Sequence, residues 1–138
     1  MDFRALNTFI VYHKFWIVSL QNILLLLKKG IWMATLDLQD AYFHLRILCQ
    51  HRQYLHFATG EDHFQYKVLP FGFSTAPRVF TKTMVVVTAH LRLLGVSVFP
   101  YIDDWLLVAN SEDLLLKNIQ ITLSLLQTLG LCINHKKS

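Results

Sequence analysis

Cysteine is nearly missing from this chain: Cys49 and Cys132 are the only two of its 138 residues, far apart and outside any CxxC or Cys/His spacing. That excludes a disulfide scaffold and a zinc knuckle, and makes a reducing intracellular compartment, cytoplasm or nucleus, the expectation. Seven histidines are present, but none stands in HxH or HExxH spacing, so each reads as a surface or structural residue. Charge is also scarce. Charged residues make up 16% and hydrophobic residues 54% of the chain, which excludes disorder and implies a well-filled interior. No uninterrupted apolar run is long enough for a membrane: Phe15–Leu27 is broken by Ser19, Gln21 and Asn22 and falls short of the ~20 residues of a spanning helix. Nor does Met1-Asp2-Phe3-Arg4 form a secretory leader. A mean hydropathy of +0.38 without a membrane span points instead to a domain whose apolar faces belong against neighbouring segments.

No repeat, low-complexity tract or linker divides the chain, so one domain is expected. The net charge of +4 mildly favours a polyanionic partner, although the basic residues are dispersed. Ile17–Leu27 has helical periodicity through Leu20, Ile23, Leu24 and Leu27, ended by Lys28-Lys29-Gly30, and Ile31–Leu38 then reads as a short buried strand. Gln53–Ala58 and His63–Leu69 flank a turn at Thr59–Asp62, which predicts a hairpin. Ser74 or Thr75 is placed to cap a helix with Pro77 in its first turn and Phe80, Met84 and Val87 on one face, up to Gly95. Val96–Ile102 and Trp105–Ala109 predict a second hairpin with Asp103-Asp104 at its tip, where aspartate tolerates turn conformations. Ser111 caps a last helix through Leu115, Ile119, Leu123 and Leu126 to Gly130, and Leu131–Ile133 reads as a final short strand. Strands and helices without strict alternation predict an α+β fold, a sheet with helices on one face.

The nine acids are the informative residues. Glu61-Asp62 falls in a turn and Glu112-Asp113 at a helix start, both sufficient structural reasons. Asp103-Asp104 has none, since adjacent carboxylates between two apolar strands repel unless a cation neutralises them. A divalent metal is the natural cation, because Mg²⁺ takes one or two carboxylates and leaves room for phosphates. Asp37, directly after Met33-Ala34-Thr35-Leu36, is a second acid at a strand end. Together the three would suffice for a two-metal phosphoryl-transfer site, although spacing alone does not bring them together.

Leu36-Asp37-Leu38-Gln39-Asp40-Ala41-Tyr42-Phe43, Leu69-Pro70-Phe71-Gly72-Phe73-Ser74-Thr75-Ala76-Pro77, Tyr101-Ile102-Asp103-Asp104 and Leu129-Gly130-Leu131 through Asn134-His135-Lys136-Lys137 resemble, in order, four palm motifs of reverse transcriptases. The third is the YxDD box. Asp2-Phe3-Arg4-Ala5-Leu6-Asn7 resembles the fingers stretch ahead of the first motif, and Trp105 after the acid pair is similar to DIRS-like (tyrosine-recombinase) retrotransposons.

The resemblance implies a right-hand polymerase palm with an antiparallel sheet backed by helices, plus part of the fingers. Residues about 1–31 and 44–69 would be fingers-like and about 32–43 and 70–138 palm, in a single partial domain. It implies RNA-directed DNA synthesis from dNTPs with Mg²⁺ or Mn²⁺, on an RNA or DNA template-primer and with no membrane. Asp37, Asp103 and Asp104 would hold the metals, with the Leu38 carbonyl as a further ligand. Tyr42 would be the steric gate against a ribose 2′-hydroxyl, its alternative being a core tyrosine. Phe71 and Gly72 would line the nucleotide pocket, although many retroviral relatives carry glutamine at the Phe71 position. Arg78 would face template or merely solvent. Lys136, or Lys137 beside it, would donate a proton to pyrophosphate unless it belongs to a solvated tail. Met1 falling within the fingers stretch, and Ser138 coming before any thumb, connection or ribonuclease H segment, lead us to expect a portion of a longer polyprotein. Two rivals follow: a non-catalytic retroelement remnant, and an interaction domain whose acids are incidental.

Overall fold

The computed structural model describes residues 2–17 and 19–138. Met1, and Val18 within the expected first helix, lie outside them. The elements in order are α1 (Arg4–Asn7), α2 (Leu20–Leu26), β1 (Trp32–Asp37), two 3₁₀ turns (Ala41–His44 and Cys49–Leu55), β2 (His56–Thr59), β3 (Asp62–Gln65), α3 (Ala76–Leu93), β4 (Ser97–Tyr101), β5 (Asp104–Ala109) and α4 (Glu112–Thr128). Two antiparallel sheets result, a three-stranded one in the order β1-β5-β4 and the β2-β3 ribbon. This is the expected α+β architecture.

Period-two alternation makes the larger sheet two-faced. Leu36 of β1, Val98 of β4, and Trp105, Leu107 and Ala109 of β5 enter one core with Phe80, Met84 and Leu91 of α3 and Leu115 and Leu126 of α4. Burying a side chain of this size contributes about 1.5–3 kcal/mol, so this face accounts for much of the fold's cohesion. Pro100, which cannot donate a ladder bond, is tolerated because β4 is an edge strand. The opposite face, with Thr35, Phe99, Tyr101, Asp104 and Leu106, borders an open cavity of about 650 Å³ roofed by Ile17, Ser19 and Ile23.

Helix ends follow local chemistry. Ser111 accepts the Leu114 N–H and Ser19 accepts the Asn22 N–H, each at 3.3 Å. Gly95, at φ +84°, closes α3: its own N–H donates to the Arg92 carbonyl and the Val96 N–H to the Leu91 carbonyl, each at 3.0 Å.

Several expectations change. Gln53–Leu55 is 3₁₀ helix and Tyr66–Leu69 leaves the ribbon after Gln65, so the first hairpin is shorter than its apolar runs. The Thr75 side chain makes no cap bond; the Phe73 carbonyl accepts the Ala76 N–H at 2.9 Å instead. In α4, Ile119 and Leu123 pack partly buried against the core as expected, and Asn118 and Thr122 are buried in addition; Thr122 donates its hydroxyl to the Asn118 carbonyl at 2.8 Å and so enters the core satisfied. Leu131–Ile133 contributes a single bridge, Leu38 to Ile133, rather than a strand. Among the described residues no helix is long and apolar enough to cross a membrane.

Candidate active site

The antiparallel register of β1 and β5 sets Asp37 opposite Asp104, and the β4–β5 register sets Tyr101 opposite Asp104 on its other side. Asp37 and Asp104 therefore share the sheet face away from α3 and α4. Asp103 stands in the turn between β4 and β5, and its carbonyl accepts the Leu38 N–H at 2.8 Å, tying the end of β1 to the hairpin tip. The left-handed residue of that turn is Ile102, at φ +55°, not an aspartate. A β-branched residue there carries strain of order 1–3 kcal/mol, and the half-buried Ile102 side chain packed on the core offsets it.

The electrostatics follow from this crowding. Burial, then the charges of Asp103 and Asp37, push the Asp104 carboxyl up, with the Lys137 charge opposing. Asp37 itself is 8% exposed and is braced by the chain's end. Its N–H donates to the Ser138 hydroxyl at 3.0 Å, its carbonyl accepts the Asn134 N–H at 2.8 Å, and Lys137 Nζ stands 3.9 Å from Oδ2. Lys137, rather than Lys136, is thus the cation beside the acids; Lys136 is exposed and donates its backbone N–H to Asn134 Oδ1. Among the described residues no hydrogen bond reaches the Leu38 carbonyl.

Tyr42 sits in the 3₁₀ turn Ala41–His44, which Asp40 enters at φ +50°. It is buried against Phe80 and Phe71, with ring centroids 5.5 and 4.7 Å away, and burial followed by the Asp103 charge pushes its phenol up. Tyr42 is therefore both a core residue and a neighbour of Asp103. Phe71 is half-exposed and also meets Phe43 at 5.1 Å. Gly72 adopts φ +85°, which favours glycine, with the Phe3 ring beneath it. Arg78 does not join this group; it lines a small cleft with Ser74, Thr75 and the Ile10–Phe15 segment.

One apolar cavity, about 510 Å³, lies between α1 and the Leu45–Leu55 region, and the larger one touches the acids only through Asp104. Among the described residues no three His, Cys, Asp or Glu side chains converge in metal-holding geometry. The arrangement that remains is a pair of carboxylate strand ends with a free carbonyl, an all-oxygen donor set of the kind hard divalent cations prefer. Asn7, to which the sequence attached no role, bonds through its side-chain amide to the backbone of Gly72 and Ser74.

Comparison with known proteins agrees with the fold. The chain matches the family "Reverse transcriptase (RNA-dependent DNA polymerase)" over residues 1–138 and belongs to it. It is 30% identical over 137 residues to the genome polyprotein of Petunia vein clearing virus, covering 99% of this chain and 6% of that protein. It is 29% identical over 140 residues to the enzymatic polyprotein of Cestrum yellow leaf curling virus, covering 100% of this chain and 21% of that protein. It is 26% identical over 137 residues to the transposon Tf2-3 polyprotein of Schizosaccharomyces pombe, covering 99% and 10%. The chain thus spans about a fifth or less of these relatives.

Proposed function

We propose that this chain is the catalytic centre of an RNA-directed DNA polymerase acting on dNTPs and a template-primer, with further segments of a longer polyprotein completing the enzyme. The observation that carries this reading is the register pairing of Asp37 with Asp104, with Asp103 tied to the same strand end through Leu38. Asp37 and Asp103 are assigned as ligands of divalent metal, Mg²⁺ or Mn²⁺, with Asp104 assisting and the Leu38 carbonyl adding an oxygen. When bound, the metal pair would supply charge neutralisation for the attacking and leaving oxygens of phosphoryl transfer. Tyr42 excludes a ribose 2′-oxygen by bulk, Phe71 and Gly72 form the pocket floor, and Arg78 contacts template. Lys137, with Lys136 as the alternative, holds the proton for pyrophosphate. Residues about 1–31 and 44–69, the latter carrying the β2–β3 ribbon, act as fingers around a palm formed by about 32–43 and 70–138. Trp105 after the acid pair supports a DIRS-like placement within the family.

The test is primer extension on an RNA template by a polymerase carrying these residues, with and without Mg²⁺. Extension should require Mg²⁺ and fall by several orders of magnitude in Asp103→Asn, because metal placement dominates this chemistry. Equal signals from the two proteins would reject the polymerase in favour of an inactive remnant.

A further inference from the structure

Asn7 makes a pair of bonds that reach across nearly half of the chain. Its Nδ2 donates to the Gly72 carbonyl and its Oδ1 accepts the Ser74 N–H, each at 2.9 Å. One side-chain amide thereby satisfies the carbonyl of one residue and the N–H two positions later, as a neighbouring strand would. The segment between, Phe73, is pinned in two ways: its carbonyl accepts the Ala76 N–H that opens α3, and its ring meets Phe3 at 6.3 Å. Phe3, buried at the start of α1, also lies under Gly72.

On the other side of this clamp stands Phe71, whose ring rests on Tyr42. A shift of the Gly72–Ser74 backbone therefore moves Phe71 and, through it, the wall on which Tyr42 leans. The four-residue helix α1 has little cohesion of its own, so the contacts that hold Asn7 and Phe3 are also what dock this segment.

We propose that Asn7 is a positioning residue for nucleotide selection: without touching substrate, it sets the height of the Phe71–Gly72 floor and hence the sugar discrimination at Tyr42. The proposal rests on the polymerase reading above. Asn7→Ala removes both bonds. Asn7→Asp keeps the acceptor for Ser74 but turns a carboxylate oxygen toward the Gly72 carbonyl. Misplacement of a pocket wall acts on orientation, so binding suffers before chemistry.

The experiment measures single-nucleotide incorporation by the polymerase carrying these residues, comparing wild type, Asn7→Ala, Asn7→Asp and Thr8→Ala. Thr8, whose hydroxyl donates to the Ala5 carbonyl in its own turn, is the control for damage to α1. In Asn7→Ala, KM for dNTP should rise roughly tenfold, equivalent to about 1.4 kcal/mol, with kcat within about twofold and the ribonucleotide-to-deoxynucleotide ratio raised. Asn7→Asp, whose carboxylate would face the Gly72 carbonyl, should be impaired at least as much as Asn7→Ala, and Thr8→Ala should match wild type. An unchanged KM and sugar ratio in Asn7→Ala beside an active wild type overturns the proposal alone. So does a loss of kcat shared with Thr8→Ala. A wild type no better than Asp103→Asn overturns the polymerase reading and this inference with it.

Discussion

At the scale of single residues, the dominant fact is that strand register sets Asp37 opposite Asp104, with Asp103 in the adjoining turn and Lys137 3.9 Å from Asp37 as the nearby cation. The fold therefore stores repulsion at Asp104, and the sign of its effect can be worked out. A carboxyl whose folded pKa is raised binds its proton more tightly in the folded than in the unfolded chain. Its favourable contribution is present at low pH and is lost as pH rises from the ordinary carboxylate range through the raised value. Above that window the folded state bears an uncompensated charge. In metal-free protein at neutral pH, Asp104→Asn should then unfold at a higher temperature than wild type, with the gap closing in acid. Calorimetry in chelator checks this, and a lower unfolding temperature at neutral pH would mean that the acids are better neutralised than their surroundings imply. Tyr42 carries a different expectation. If its ring limits space beneath the sugar, Tyr42→Val raises ribonucleotide incorporation while deoxynucleotide use persists; an unaltered ratio in competition assays returns Tyr42 to a purely core role. At Gly72 the φ of +85° makes Gly72→Ala cost about 1–2 kcal/mol in urea unfolding, since an L side chain is strained there whatever the space around it.

At the scale of elements, the core face of the large sheet governs stability. Leu126 of α4 is fully buried in the shared core, and Leu126→Ala should destabilise by about 2–5 kcal/mol by urea titration, through lost transfer energy and the cavity left behind. A cost below 1 kcal/mol, about the level of a surface change, would mean that α4 packs loosely. The same elements explain what could be read from sequence. Helices α3 and α4 were legible because proline, serine and glycine mark their ends, and β1 and β5 because compact apolar runs end in acids. Asp37 and Asp103-Asp104 stood out for that reason: a charge abutting an apolar run has no local excuse. The remainder depended on long-range geometry. Periodicity found Ile119 and Leu123, which do pack against the core, but missed the buried Asn118 and Thr122, because it cannot foresee that Thr122 bonds within its own helix. It placed the turn strain on aspartate because the packing that holds Ile102 at positive φ comes from elsewhere. Asn7 was silent because its partners lie 65 and 67 residues away. The choice between Lys136 and Lys137 was likewise undecidable before the path of the last residues around Asp37 was known.

At the scale of the whole molecule, the balance of polar and apolar surface governs how these residues behave in solution. Phe9, Trp16, Leu25 and Leu93 are each more than four-fifths exposed, and Val11, Tyr12 and Val86 more than two-thirds. Scattered apolar side chains are ordinary on a protein surface, but Phe9, Val11, Tyr12 and Trp16 occupy one irregular stretch between α1 and α2. With only +4 of net charge, electrostatic repulsion between copies is modest and is screened beyond ~10 Å at about 0.1 M salt. Hydrophobic contact should therefore decide the outcome when these 138 residues are studied alone. We expect them to self-associate at micromolar concentration, more strongly in high salt. Replacing Phe9 and Trp16 with serine should shift the population toward monomer without changing the far-ultraviolet circular dichroism. Sedimentation velocity measures this directly. A wild-type chain that sediments as a single monomeric species across that concentration range would show that its exposed apolar side chains are too dispersed to act as a surface, and that its greasy composition needs another explanation.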